Sequence, residues 1–435
     1  MDYQSAFTEI LAETRDQPAT PYLHRGLDYA VVPRKAVVLK GVRRSGKSTL
    51  LRQAGDDQTG AGRLCLHMNF VDDRLAGLTG AHLGALLDAF HRVYPQTRPA
   101  QPLTLLLDEL QVVEGWEAFV ERQLRVRDRR VFVTGSSAKL LSQEIASAMR
   151  GRSLSYEVFP FDFPEFLALQ GVLPSRLPLG ADEKAMVKAH FRRYLMEGGF
   201  PETIGLDRST QVRMLQEYLD VLLLRDVIER HDTSSPTMIR RFLLLLVNRF
   251  ASSVTINRCV ELLRAQGLGT AKAHLSEVLD WFHDAYAVFP VKVLSESVQK
   301  QNTNPRKLYV IDNGLINAAT TGRLHNEGRL LENLVFLTLR RRGHDVHYLR
   351  TRSGYEVDFH SESEGLVQVA WTLADEGTRT REVRALEQAM EELSIKEATL
   401  VTSEESGTIA LPSGVVHVRP AWEWVLDERP TTRHA

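Results

Sequence analysis

Eight residues, Gly41-Val-Arg-Arg-Ser-Gly46-Lys47-Ser48, constrain this chain more than any other stretch. They fit G-x-x-x-x-G-K-[ST] and fall between the apolar run Ala36–Leu39 and a helical spacing over 48–56, so the motif joins a strand to a helix. The glycines let the backbone wrap an anion, and the first amides of the helix point at its charge. Gly41, Arg44, Ser45, Gly46, Lys47, Ser48 and Thr49 are therefore the candidate contacts to a nucleotide such as ATP. Within that set, Lys47 would reach the β and γ phosphates and Ser48 would help to hold Mg²⁺.

A second apolar run, Leu103–Leu107, ends on Asp108-Glu109. Such a pair alone could cap a helix or turn in solvent. Together with the phosphate loop, it places Asp108 in the shell of the metal and Glu109 against the attacking water. The strand Val131–Thr134 runs into Gly135-Ser136-Ser137, where Ser136 is a candidate to contact the γ-phosphate, and capping of a helix at 138 is the alternative. Arg152 is a candidate to act on a neighbouring protomer's nucleotide, with an ordinary surface charge as the alternative. Apolar runs at 36–39, 63–70, 103–107, 131–134 and 154–158, alternating with helical stretches near 80–93, 116–125 and 138–148, predict a parallel sheet covered on both faces.

The 435 residues are enough for two to four domains. The pattern predicts an α/β nucleotide-binding domain over 1–160, a mostly helical domain over 161–327, a mixed α/β domain over 328–425 and a polar tail over 426–435. Fifty-four Lys+Arg against 55 Asp+Glu leave no global basic field, so any nucleic-acid surface must be a local patch. Two cysteines exclude a disulfide framework or a Cys-rich zinc site and suit a reducing compartment. No apolar run approaches a membrane span and the first residues are polar, which predicts a cytoplasmic protein with no membrane partner.

The phosphate loop, Asp108-Glu109-Leu110-Gln111 followed by Trp116, Thr134-Gly135-Ser136-Ser137, Gly151-Arg152 and Phe159-Pro160-Phe161 resemble the AAA-type ATPases of the AAA_14 group. The carboxyl half resembles the DUF4143 region that accompanies them, through Gly198-Gly199-Phe200-Pro201-Glu202, Tyr309–Leu315, Glu332-Asn333 and Glu356-Val357-Asp358-Phe359. The resemblance implies a P-loop ATPase core, a winged-helix-like middle and a restriction-endonuclease-like carboxyl domain.

Residues 255–266 and 270–285 read as two helices about a Gly267-Leu-Gly269 turn, followed by strands at 288–294 and 307–311 with a wing tip at 299–305. Seven Lys+Arg against five acids over 253–310 give little phosphate affinity by themselves. Arg258, Lys272, His274, Lys300 and Arg306 are the candidate DNA contacts, and packing within the protein is the alternative. In the carboxyl domain, Glu332, Asp358 and Gln368 occupy the places of a nuclease metal site, but Ala370 stands at the lysine position. No lysine lies between Lys307 and Lys396, so the site is expected to be degenerate, with its acids paired to Arg350 or Arg352. The expected function is Mg²⁺-dependent ATP hydrolysis by an oligomer, such as a hexameric ring, moving on branched or duplex DNA. The alternative is a nucleotide-dependent switch that binds a protein partner.

Overall fold

The computed structural model describes residues 2–18, 20–97, 101–136, 149, 151–175, 178–231, 233, 235–320 and 326–427. Ser137, the helix expected over 138–148, and the last eight residues lie outside the described residues. The chain divides into two compact units, Met1–Phe159 and Pro160–Ala435. The boundary expected near 327 does not separate a further compact unit.

The first unit is built on strands β1 (Ala36–Gly41), β2 (Leu64–Asn69), β3 (Leu103–Asp108), β4 (Arg129–Ser136) and β5 (Ser153–Glu157). Their order is β2-β3-β4-β1-β5 and every pairing is parallel. The near-continuous apolar character of β1 and β3 reflects burial on both faces, and each residue of β3 is buried. One face carries Leu66, Leu105, Leu107, Val131 and Val133 under the helices 3–16, 84–93 and 116–124. The other face carries Val37, Leu39, Leu106 and Phe132 under the helix Lys47–Gly60. Each such leucine or phenylalanine contributes about 1.5–3 kcal/mol by leaving water. Because all five strands run the same way, the loops after β1 and β3 open at the same edge of the sheet, where ligands bind in such folds.

The second unit opens with the helices 163–169, 181–197 and 208–221, a π-helical stretch at Leu222–Ile228 and the helix 236–248. A small antiparallel sheet follows, ordered β6-β8-β7, from β6 (Ser253–Val254), β7 (Val288–Val291) and β8 (Arg306–Val310). Helices 256–265 and 272–284 lie between its first and second strands. The expected wing tip is a short helix, Val298–Thr303, because Ser297 caps it by accepting from the Lys300 amide. Beyond the helices 313–319 and 327–341, a six-stranded sheet is formed by β9 (His347–Arg350), β10 (Glu356–Ser361), β11 (Gly365–Val369), β12 (Glu397–Thr402), β13 (Gly407–Leu411) and β14 (Gly414–Pro420). Its order is β13-β14-β12-β11-β10-β9, with parallel pairing at the centre and antiparallel pairing at both edges. The edge strand β13 is not foreseen from sequence, since it is short and only Ile409 and Leu411 pack against the core. No helix among the described residues is long and apolar enough to cross a membrane.

Asp312 ties the second unit together. Its carboxylate accepts from the amides of Gly199 at 2.7 Å, Gly314 at 2.8 Å and Leu315 at 3.3 Å. Gly198 is required beside it, with φ of 78° and an added Cβ only 2.0 Å from Asp312 Oδ1. Burial pushes Asp312 up to about 6, against the pull of those amides. An acid raised in the folded state contributes stability that is full below about pH 4 and lost as pH rises through about 6, on the order of 3 kcal/mol for a two-unit shift. Urea unfolding of the wild type should therefore show that loss between pH 4 and 6, and Asp312→Asn should flatten the difference. Parallel pH curves for the two proteins would contradict this.

Candidate active site

The phosphate loop is shaped by its backbone. β1 delivers Gly41, whose Cβ position is filled by Val158 O at 2.1 Å, and the loop closes through Arg44 (φ 63°) and Gly46 (φ 93°). Gly46 is the N-cap of the helix Lys47–Gly60, which begins with the helix amides at the loop. Lys47 is buried, and its Nζ donates to Gly41 O at 3.0 Å and to Val42 O at 2.9 Å. Thus the cation lies over the loop itself. Ser48 is exposed and Thr49 half-buried, while Ser45 is buried with its hydroxyl oxygen lacking a protein partner. A buried hydroxyl without a partner in an anion-shaped loop fits a phosphate ligand.

Asp108 and Glu109 stand at the same edge of the sheet. Asp108 is buried and accepts a short hydrogen bond from the Thr134 hydroxyl. Thr134 in turn accepts from the Glu109 amide at 3.0 Å, so one side chain on β4 positions both acids. Glu109 has φ 53° and ψ 36°, a left-handed conformation uncommon outside glycine, asparagine and aspartate. That turn lifts its carboxylate out of the strand direction, and Gln111 Nε2 holds Oε2 by a short bond. The donor set of Ser48 hydroxyl and Asp108 carboxylate is hard oxygen, which suits Mg²⁺. Ser136 ends β4 in register with Gly41, beside the loop.

Arg152 lies elsewhere. It immediately precedes β5, and its carbonyl accepts from the Ala36 amide at the start of β1. The run of β1 is roughly 17 Å long at ~3.3 Å per residue, which separates Arg152 from its own phosphate loop. Its guanidinium pairs with Glu121 at 2.9 Å.

Sequence reading missed Arg25 and Thr134. Arg25 is buried; its guanidinium donates to Ser45 O at 2.9 Å and to Phe159 O at 3.0 Å. Its backbone is clamped to Gln53, accepting from Nε2 at 2.8 Å and donating to Oε1 at 2.9 Å. No local pattern announces such a residue, since its partners are 20 and 134 positions away. Arg25→Ala should weaken ATP binding about tenfold, because the loop carbonyl of Ser45 loses its buried donor at a cost on the order of 1–3 kcal/mol. Titration with a fluorescent ATP analogue would check it; unchanged affinity would remove Arg25 from the site.

Three of the five candidate DNA contacts have an acid beside them. Arg258 pairs with Glu261 at 2.9 Å, His274 lies 3.6 Å from Glu277, and Arg306 lies 3.8 Å from Asp280. Lys272 and Arg306 line one cleft of about 270 Å³ with Thr255, Asn257 and Asn304. Lys300 is exposed on the short helix at the wing tip.

The carboxyl cluster departs from expectation. Glu332 and Asp358 do come together, but around Lys307 on β8 rather than around Arg350 or Arg352. Lys307 Nζ is 2.7 Å from Asp358, 2.9 Å from Glu356 and 3.2 Å from Glu332. The expectation that no lysine could serve this site fails, because the sheet containing β8 packs against β10 although 51 residues separate Lys307 from Asp358. Gln368 is not directed at a metal; its amide accepts from the Asp358 amide at 2.9 Å and donates to Glu382 at 2.6 Å.

With this geometry in view, the family model for an AAA domain, AAA_14, matches residues 33–167, and that for a domain of unknown function, DUF8612, matches residues 188–325. The match in the second unit is thus DUF8612, where the sequence motifs resemble DUF4143. An uncharacterized protein of Methanocaldococcus jannaschii is 32% identical over 445 aligned residues, which cover 98% of this chain and 96% of that one. The chain belongs to that protein's family. An uncharacterized protein of Haemophilus influenzae is 29% identical over 331 residues, 74% of this chain and 78% of its own. Among solved structures, a Walker-type ATPase of Pyrococcus abyssi aligns with a TM-score of 0.42 at 14% identity, over 73% of this chain and 95% of that one. In this family member the AAA match spans the phosphate loop and the Asp108-Glu109 strand, the two halves of the site described above.

Proposed function

We propose that this protein is a Mg²⁺-dependent ATP hydrolase that works as an oligomer on DNA. The observation that supports it most is the convergence at one sheet edge of the Gly41–Ser48 loop and the Asp108-Glu109 pair, linked through Thr134. Lys47 leaves the loop carbonyls to balance the β and γ phosphates, and the loop and helix amides bind the phosphate oxygens. Ser48 and Asp108 would hold Mg²⁺, which would help to neutralise the phosphate charge. Glu109 orients the attacking water and takes its proton. Arg152, remote from its own loop, serves a neighbouring protomer's site and exchanges Glu121 for phosphate; its pair with Glu121 is half-buried, with the Arg152 side chain 41% exposed.

The order strand, helix, glycine turn, helix and hairpin over 253–310 supports a winged-helix reading of DNA contact, with Lys272, Lys300 and Arg306 toward phosphates. The pairing of Arg258, His274 and Arg306 with acids favours a second reading, a nucleotide switch acting on a protein partner. Turnover measured with and without forked and duplex DNA, across salt and protein concentration, separates them. A motor on DNA should speed up severalfold with DNA, lose that gain steeply with salt, and turn over faster per protomer at higher concentration. Turnover indifferent to DNA would leave the switch.

A further inference from the structure

Three carboxylates in the second unit point at one atom. Lys307 Nζ lies at their focus, at ion-pair distance from Asp358, Glu356 and Glu332. An ammonium donates three hydrogen bonds, and three carboxylates are placed to accept them. The surroundings are built to keep this arrangement. Asp358 Oδ2 accepts from the Val369 amide at 2.9 Å, and Glu332 Oε1 accepts from the Tyr309 hydroxyl at 2.7 Å. The Lys307 side chain is only 5% exposed, and those of Asp358 and Glu332 are 10% and 13% exposed.

We propose that the Lys307 ammonium is the resident cation of this cluster and occupies the place a divalent metal ion would need, so that the carboxyl domain holds no metal while Lys307 is present. The charge balance supports this. Asp358 and Glu332, both nearly buried, repel one another and repay their desolvation only around a cation, and Glu356, 38% exposed, adds a third oxygen donor at the rim. An ammonium on β8 supplies one without an exchangeable ion, and it also pins the small sheet to β10 and to the helix 327–341. Burial pushes Glu332 up to about 7, and the neighbouring Asp358 charge adds to it, as expected where a single positive charge must serve several acids. A divalent ion would compete directly with Lys307, since both need the same oxygens and like charges this close cost several kcal/mol. Replacing Lys307 by alanine removes the ammonium and its stem, and leaves oxygen ligands of the type that Mn²⁺ and Mg²⁺ accept.

The test is calorimetric titration of the nucleotide-free full chain with Mn²⁺. Wild type and Asp358→Asn should give the same isotherm, because any Mn²⁺ taken up at the phosphate loop is common to both. Lys307→Ala should bind one further Mn²⁺, at least tenfold more tightly than any weak site shared by the two, and Lys307→Ala/Asp358→Asn should lose it. If Lys307→Ala does not fold, the comparison of wild type with Asp358→Asn and Glu332→Gln stands alone. A Mn²⁺ site present in wild type and absent from either variant would overturn the proposal, as would a folded Lys307→Ala protein that takes up no extra ion.

Discussion

Glu109→Gln protein is expected to bind ATP about as tightly as wild type and to hydrolyse it at least ~100-fold more slowly, the usual cost of losing a positioned general base. The substitution preserves size and leaves Thr134 and Asp108 in place, so the metal side of the site is unchanged. It also keeps an oxygen for Gln111 to hold, which separates loss of a base from loss of shape. Lys47→Ala is the matching control. It removes the buried cation that faces the loop carbonyls and should abolish binding rather than slow turnover. Single-turnover kinetics together with equilibrium binding would distinguish the two outcomes. Near-normal turnover by Glu109→Gln would show that another group activates the water.

Gly41→Ala should be among the most damaging single methyls in the first unit. The added carbon would lie 2.1 Å from Val158 O and 3.0 Å from its carbonyl carbon, both backbone atoms. Movement is resisted, because the Val158 amide donates to Lys40 O at 2.7 Å just past the β1–β5 pairing. Relief therefore requires the strands to part, at about 3 kcal/mol for overpacking of this kind. For a unit of this size that corresponds to a melting temperature lower by roughly 6–12 °C. Because Gly41 O also holds Lys47, nucleotide binding should fail even below the melting temperature. Gly62→Ala is the comparison: it has φ of 75° and nothing within 4 Å of the added carbon, so only the left-handed strain of about 1–2 kcal/mol remains. Equal losses of melting temperature for the two variants would show that the close approach to Val158 does not matter.

What could be read from the sequence was local and periodic. Apolar runs of strand length, a glycine-lysine-serine turn and an acidic pair after an apolar run are each written in consecutive residues. Burial on both faces demands such runs, and a phosphate loop tolerates few alternatives at its glycines. The five strands of the first sheet and the placement of Lys47, Asp108 and Glu109 follow from these signals. The tertiary structure decided contacts between residues far apart in the chain. Arg25 grips Ser45 and Phe159 only because the segment before β1 folds back over the loop, and an isolated arginine carries no periodic mark of that path. Thr134 serves both acids only because β4 lies beside β3. The same holds in the second unit, where a count of lysines near Asp358 along the sequence finds none. Lys307 arrives from a different sheet, because packing brings β8 to β10 and buried carboxylates select a cation by distance in space.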